Sequence, residues 1–209
     1  GTCNPPDRIK IGTVGPPAPG IDIKLADDGE ILVKAPIVMR GYRNLPDKTR
    51  ETFTDDGWLM TGDIGAFDED GYLKIVDRKK ELIINAAGKN MSPANIESKL
   101  KAAGPLIGQA VAVGDRRPYN VALLTLDPDA LEPFRQQKGI EQEDLGELVE
   151  HPEVLEQVQR EVDAANEQLA RVEQIKKFKL LPEEWQPGGE ELTPTMKLKR
   201  KPILQKYER

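Results

Sequence analysis

One cysteine and one histidine are all that this 209-residue sequence contains of those two residue types, and each shortage excludes a class of protein. A single thiol, Cys3, cannot close an internal disulfide, so a reducing, cytoplasmic setting is expected. The lone His151 cannot build a metal site without several unrelated ligands, so no residue is assigned to a metal. No stretch approaches the roughly 18 to 20 apolar residues that cross a bilayer, and no signal peptide is visible at the start. A soluble chain without a transmembrane segment is therefore expected. An excess of basic residues is also missing: the formal net charge is −6, which argues against nucleic acid or an anionic membrane as a general partner. There is no initiator methionine either. The chain enters at Gly1 and runs directly into Pro and Asp, which reads as an excised piece whose missing part lies upstream.

What is present is 38% apolar and 32% charged, a balance that calls for a real core with extensive solvated helix surface. At about 150 residues per domain the length suits one domain or two small ones. Up to residue 76 the sequence reads as short strands punctuated by turns. Ile21, Ile23 and Leu25 alternate with polar neighbours, as do Ile31 and Val33 after the Asp28-Gly29 turn, which predicts a hairpin. A short helix is expected over Asp47 to Phe53, then strands at Ile64 to Phe67 and Tyr72 to Val76 around an Asp68 to Gly71 turn.

From Asp77 the character changes. A strand at Leu82 to Asn85 and a turn at Gly88 lead into a helix with Ser92 as its cap and Pro93 in its first turn. Ile96 and Leu100 share that helix's buried face. Gly104 and Pro105 stop it, and Ile107 to Val113 and Val121 to Leu126 have strand length. Val154, Val158, Val162, Ala165, Leu169 and Val172 fall on one stripe and predict an amphipathic helix over 153 to 172. Ile175 to Leu181 reads as a strand, followed by a Pro187-Gly188-Gly189 turn and a basic tail. His151 is expected to cap or flank the long helix, and Trp185 to pack against a turn.

Three segments carry candidate chemistry. Gly57 to Asp63, ending in Thr61-Gly62-Asp63, reads as a turn closed by a carboxylate. Its two oxygens could accept from both hydroxyls of a ribose diol; taken alone, the plain reading is an Asp-containing turn. In Asp77-Arg78-Lys79-Lys80, a cation run between two strands is ordinarily a solvated face, yet Arg78 could offer planar donors to a nucleotide while Lys80 sits at the junction of the halves. Lys197, within Leu192-Thr193-Pro194-Thr195-Met196-Lys197, is by itself part of a basic tail.

In this order, with Gly41-Tyr42, Gly71 to Ile83, Gly88 to Glu97 and Leu192 to Lys201, these segments resemble the adenylate-forming superfamily of acyl-CoA synthetases, firefly luciferases and peptide-synthetase adenylation domains. The length of the acidic section at about 129 to 172 resembles its long-chain fatty acyl-CoA branch. The resemblance implies an α/β (α+β) fold: the β-rich end of a large domain over 1–76, a hinge over 77–81, and a small mobile C-terminal domain over 82–209 with a three-stranded sheet packed by helices. It implies that Asp63 and Arg78 hold the ATP ribose, that Lys80 is the hinge, that Gly88 lines the path of the coenzyme A pantetheine arm, and that Lys197 enters the active site for adenylation.

Fatty acid, ATP and coenzyme A are then the substrates, with Mg2+ on the phosphates and a missing N-terminal domain acting in cis; peripheral membrane contact by the full protein stays open. Two departures from the family pattern stand out. Met196 replaces the glycine that many members carry before the lysine. The Ser, Thr and Gly-rich phosphate loop and the Tyr-Gly-x-Thr-Glu segment are absent, so this piece is expected to be inactive alone. Two alternatives are a fatty acyl-AMP ligase loading a carrier protein, and a noncatalytic module that docks through the acidic helix at 153 to 172.

Overall fold

The alternating apolar residues of the first half build a four-stranded antiparallel sheet in the computed structural model, which describes residues 1 to 207. The strands are β1 (Asp22–Leu25), β2 (Glu30–Lys34), β3 (Leu59–Phe67) and β4 (Leu73–Arg78), in the order β1-β2-β3-β4. The first two form the expected hairpin, with Ile23 opposite Val33 and Leu25 opposite Ile31. Between β2 and β3 the chain makes helix α1 (Pro46–Arg50), which ends before the expected Phe53 because Thr52 and Phe53 turn away to join β3. Ile31, Leu32, Tyr72 and Leu73 are buried.

The Thr61-Gly62-Asp63 segment, expected as a turn, lies within β3. The reason is that both neighbours reach it: β2 pairs through Glu30 opposite Ile64, and β4 through Arg78 opposite Asp63. Register shifts on both sides and a φ of +73° at Gly62 kink the strand there without ending it. A left-handed residue of this kind favours glycine.

The contacts divide the chain into two units, Gly1–Leu82 and Ile83–Arg209. A 3-10 turn over Lys79–Glu81 closes the first. The second begins with a two-residue pairing of β5 (Ile83–Ile84) with β6 (Asn90–Met91), shorter than the strand expected at Leu82 to Asn85. Helix α2 (Pro93–Ala102) follows, with the Ser92 hydroxyl accepting from the Asn95 N–H at 3.0 Å, as a helix N-terminus requires.

Strands β7 (Ile107–Val113), β8 (Asn120–Leu126) and β9 (Ile175–Leu180) form a three-stranded sheet in that order. Strand β7 pairs with β8 antiparallel, but β9 pairs with β8 in parallel, so a long crossover is required. It contains α3 (Pro128–Lys138), α4 (Leu145–Leu148) and α5 (Pro152–Glu167). One sheet face, through Ala110, Ala112 and Leu124, packs on Ile96 and Leu100 of α2 and on Val154, Val158 and Val162 of α5. The opposite face, through Val111, meets Leu181, Trp185, Leu192 and Ile203.

Two expectations are corrected here. Helix α5 ends at Glu167, not at 172. Its last turn is diverted because the Asn166 side chain bonds both backbone groups of Ile175, accepting from its N–H at 2.8 Å and donating to its carbonyl at 2.9 Å. Leu169 still buries itself after the helix, but Val172 is exposed. The basic tail folds into helix α6 (Arg200–Lys206), pinned by Ile203 in the second apolar cluster. Among the described residues no helix is long and apolar enough to cross a membrane.

Candidate active site

Asp63 and Arg78 are brought together by strand register. They face each other across β3 and β4 as an ion pair, with Arg78 Nε 2.9 Å from Asp63 Oδ1. The ion pair leaves the carboxylate with accepting capacity. The aspartate is about three-quarters covered while the arginine is mostly exposed, with 26% and 63% of their side chains accessible. An acceptor held by a cation at a partly open edge is suited to neighbouring hydroxyls.

The backbone under Asp63 is fixed by groups that sequence reasoning did not single out. Thr61 Oγ1 donates to the Ile31 carbonyl at 2.8 Å and accepts from the Asp63 N–H at 3.1 Å. The Gly62 N–H donates to Glu30 Oε1 at 2.9 Å, and Lys79 Nζ lies 2.7 Å from Glu30 Oε2 and 2.6 Å from Asp28 Oδ2. Between these two carboxylates Lys79 is held above its ordinary pKa, and the Lys79 ammonium, with the Glu30 N–H, holds Asp28 below the usual carboxylate value. Glu30 is buried. Nothing in the sequence distinguishes it from a solvent-facing charge at the start of a strand, since its partners lie 32 and 49 positions away.

Lys80 lies exposed in the 3-10 turn beside this clamp, at the end of the first unit. Gly88 and Lys197 belong to the second unit, on separate loops. Gly88 closes the Asn85 to Lys89 turn, its N–H donating to the Asn85 carbonyl at 2.9 Å, with a φ of +75° and open space where a Cβ would stand. The turn geometry by itself favours glycine, and the vacancy leaves the backbone approachable. The Ala86 N–H donates to the Arg117 carbonyl at 3.0 Å, which ties this loop to the β7–β8 turn.

Lys197 sits on a tight loop closed by the Leu192–Leu198 bridge. Its N–H donates to Thr193 Oγ1 at 3.0 Å and its carbonyl accepts from the Thr193 N–H at 2.8 Å, so the backbone is fixed while the side chain is exposed. Met196, immediately before it, has a φ of +62°. The position requires the left-handed conformation that glycine adopts freely, and this chain fills it with a side chain. Three residues beyond Lys197, Arg200 makes a bidentate pair with buried Glu97 of α2, both contacts at 2.6 Å, and Glu97 also accepts from the Ala112 N–H at 2.8 Å. The loop is thus moored to the domain core just past the lysine.

The model of the AMP-binding enzyme C-terminal domain matches residues 80–209. The chain belongs to the AMP-binding enzyme family. As a member of it, the chain is 53% identical over 206 residues to a protein of Mycobacterium tuberculosis named as a fatty-acid-CoA ligase, a match covering 99% of this chain and 36% of the relative. A long-chain-fatty-acid-CoA ligase of the same organism is 46% identical over 200 residues, covering 95% and 33%. Among solved structures of AMP-binding enzymes and their kin, the chain is similar to o-succinylbenzoate CoA synthetase of Bacillus subtilis in complex with its acyl-adenylate intermediate. That match has a TM-score of 0.63 and 28% identity, and covers 93% of this chain and 36% of the other. The chain therefore spans about a third of the length of these relatives.

Proposed function

We propose that this chain is the C-terminal part of a long-chain fatty-acid-CoA ligase, which joins a fatty acid to coenzyme A through an acyl-adenylate. The observation that carries this reading is the 46% to 53% identity to fatty-acid-CoA ligases over nearly the whole chain. The paired Asp63 and Arg78 and the moored loop of Lys197 supply groups of the kind such a reaction uses.

In the first half-reaction a fatty carboxylate oxygen attacks the α-phosphorus of ATP, and pyrophosphate leaves. Asp63 accepts hydrogen bonds from the ribose hydroxyls, and Arg78 keeps its carboxylate oriented. Lys197 places its ammonium against the charge shared by the attacking carboxylate and the phosphate. It stabilises the transition state more than the separated reactants. In the second half-reaction the sulfur of coenzyme A attacks the acyl carbon and AMP leaves. Rotation about Lys80, within a hinge over 77–81, withdraws Lys197 and brings the Gly88 loop to the thiol's path, a gating motion that lets one site serve two chemistries.

Mg2+ neutralises nucleotide phosphates in reactions of this type. Among the described residues no group of three or more His, Cys, Asp or Glu side chains converges to hold a metal. The residues present do not fit a metal site of their own, and no step here runs through one.

The test is Lys197→Ala in the full-length enzyme. Acyl-AMP formation should fall roughly 100-fold to 1,000-fold, as when one preorganised donor is lost, while thioester formation from supplied acyl-AMP persists. Equal loss of both half-reactions would overturn the role given to Lys197.

A further inference from the structure

Glu30 occupies an unusual place between the nucleotide-binding strand and the hinge. One oxygen accepts from the Gly62 N–H, next to Asp63, at 2.9 Å. The other meets the ammonium of Lys79, between Arg78 and Lys80, at 2.7 Å. Asp28 meets the same ammonium at 2.6 Å, so Lys79 is fastened to the β1–β2 hairpin by two carboxylates. The glutamate itself is buried, with only 6% of its side chain accessible.

Resting on the reading above, we infer that Glu30 is a positioning residue. Through Gly62 it fixes the peptide that carries Asp63, and through Lys79 it fixes the near end of the hinge, so that rotation is confined to the residues from Lys80 onward. Two features favour this over a role in packing alone. The Gly62 peptide is held in a left-handed kink, φ +73°, at which the strand ladder shifts register on both sides; a side-chain acceptor replaces the bond that a regular ladder would supply there. The Lys79 clamp lies within a single residue of both Arg78 and Lys80. Lys79 held above its ordinary pKa and Asp28 held below its own agree with a closed clamp at neutral pH.

The experiment uses the full-length enzyme and follows ATP-pyrophosphate exchange, with Asp63→Ala as the control for the underlying reading. Glu30→Gln keeps an acceptor for Gly62 and removes the charge from Lys79; Lys79→Met removes the same contact from the other side. Each should raise KM for ATP about tenfold with kcat at saturating ATP within about threefold, because a misplaced binding group costs orientation more than chemistry. The double variant should be no worse than the poorer single one, as for two halves of one contact. Lys79→Arg should restore KM to within about twofold of the parent.

If Asp63→Ala raises KM for ATP while Glu30→Gln and Lys79→Met do not, the inference fails and the functional reading survives. If both variants lower the thermal midpoint with KM unchanged, Glu30 is merely structural and the inference is overturned. If Asp63→Ala leaves KM unchanged, the assignment of the ribose site fails, and the inference goes with it.

Discussion

Arg78 reaches Asp63 across a single rung of the β3–β4 ladder, Nε to Oδ1 at 2.9 Å, although fourteen residues separate them along the chain. Strand pairing, not sequence proximity, brings the two side chains together. The rung also places the pair at the end of β4, where the chain leaves the sheet for the 3-10 turn at Lys79.

Because the arginine of that pair is mostly exposed, the pair's own contribution to stability is about 0 to 1 kcal/mol. Arg78→Ala in the full-length enzyme should leave the thermal midpoint nearly unchanged and raise KM for ATP about tenfold. A large fall in thermal midpoint would show that the arginine holds the fold and not the nucleotide.

Met196 stores backbone strain of about 1 to 3 kcal/mol at its positive φ. Part of any gain from glycine is lost to the greater freedom of the unfolded chain, and the half-exposed methionine contributes little burial. Met196→Gly should therefore stabilise the chain by up to about 1 kcal/mol in denaturant titrations. A loss of stability would mean that the thioether makes contacts worth more than the strain.

Breaking the Glu97–Arg200 pair should be costly, since it leaves a buried charge behind. Arg200→Ala, which takes the guanidinium away from the buried Glu97 carboxylate, is expected to destabilise by about 3 to 5 kcal/mol in urea unfolding. Limited proteolysis should then cut first near the Lys197 loop, which the pair moors to α2. An unchanged urea midpoint would show that the pair is not part of what holds the domain together.

The Asp28–Lys79 contact sets a pH window for stability. Asp28 has a folded pKa below its unfolded value, so its contribution is present above the ordinary carboxylate pKa and is lost as the pH falls through the lower folded value. Lys79 has a folded pKa above its unfolded value, so its contribution is full below the ordinary lysine pKa and is lost as the pH rises through the higher folded value. Thermal midpoints should form a plateau between those limits and decline at both ends, and Lys79→Met should flatten both declines. Identical pH profiles for parent and variant would remove the contact from the stability of the first unit.

Local signals determined a good part of this protein from sequence alone. The alternation of Ile23 and Leu25 against Ile31 and Val33, the Ser92-Pro93 start of α2, and the spacing of Val154, Val158 and Val162 each follow from a period of two or 3.6 residues and from capping chemistry, which a short window contains in full. The resemblance to the adenylate-forming enzymes rested on short segments of the same kind. Features beyond the reach of local pattern have partners far away in sequence: the Thr61-Gly62-Asp63 segment drawn into a strand by β2 and β4, α5 cut short by Asn166 bonding to Ile175, and the basic tail folded into α6 by Ile203 and by Arg200 meeting Glu97. A charge such as Glu30 has no identity as a core residue until the fold supplies a peptide N–H and an ammonium to meet it. Burial and pairing are properties of the whole arrangement, which a local pattern does not contain.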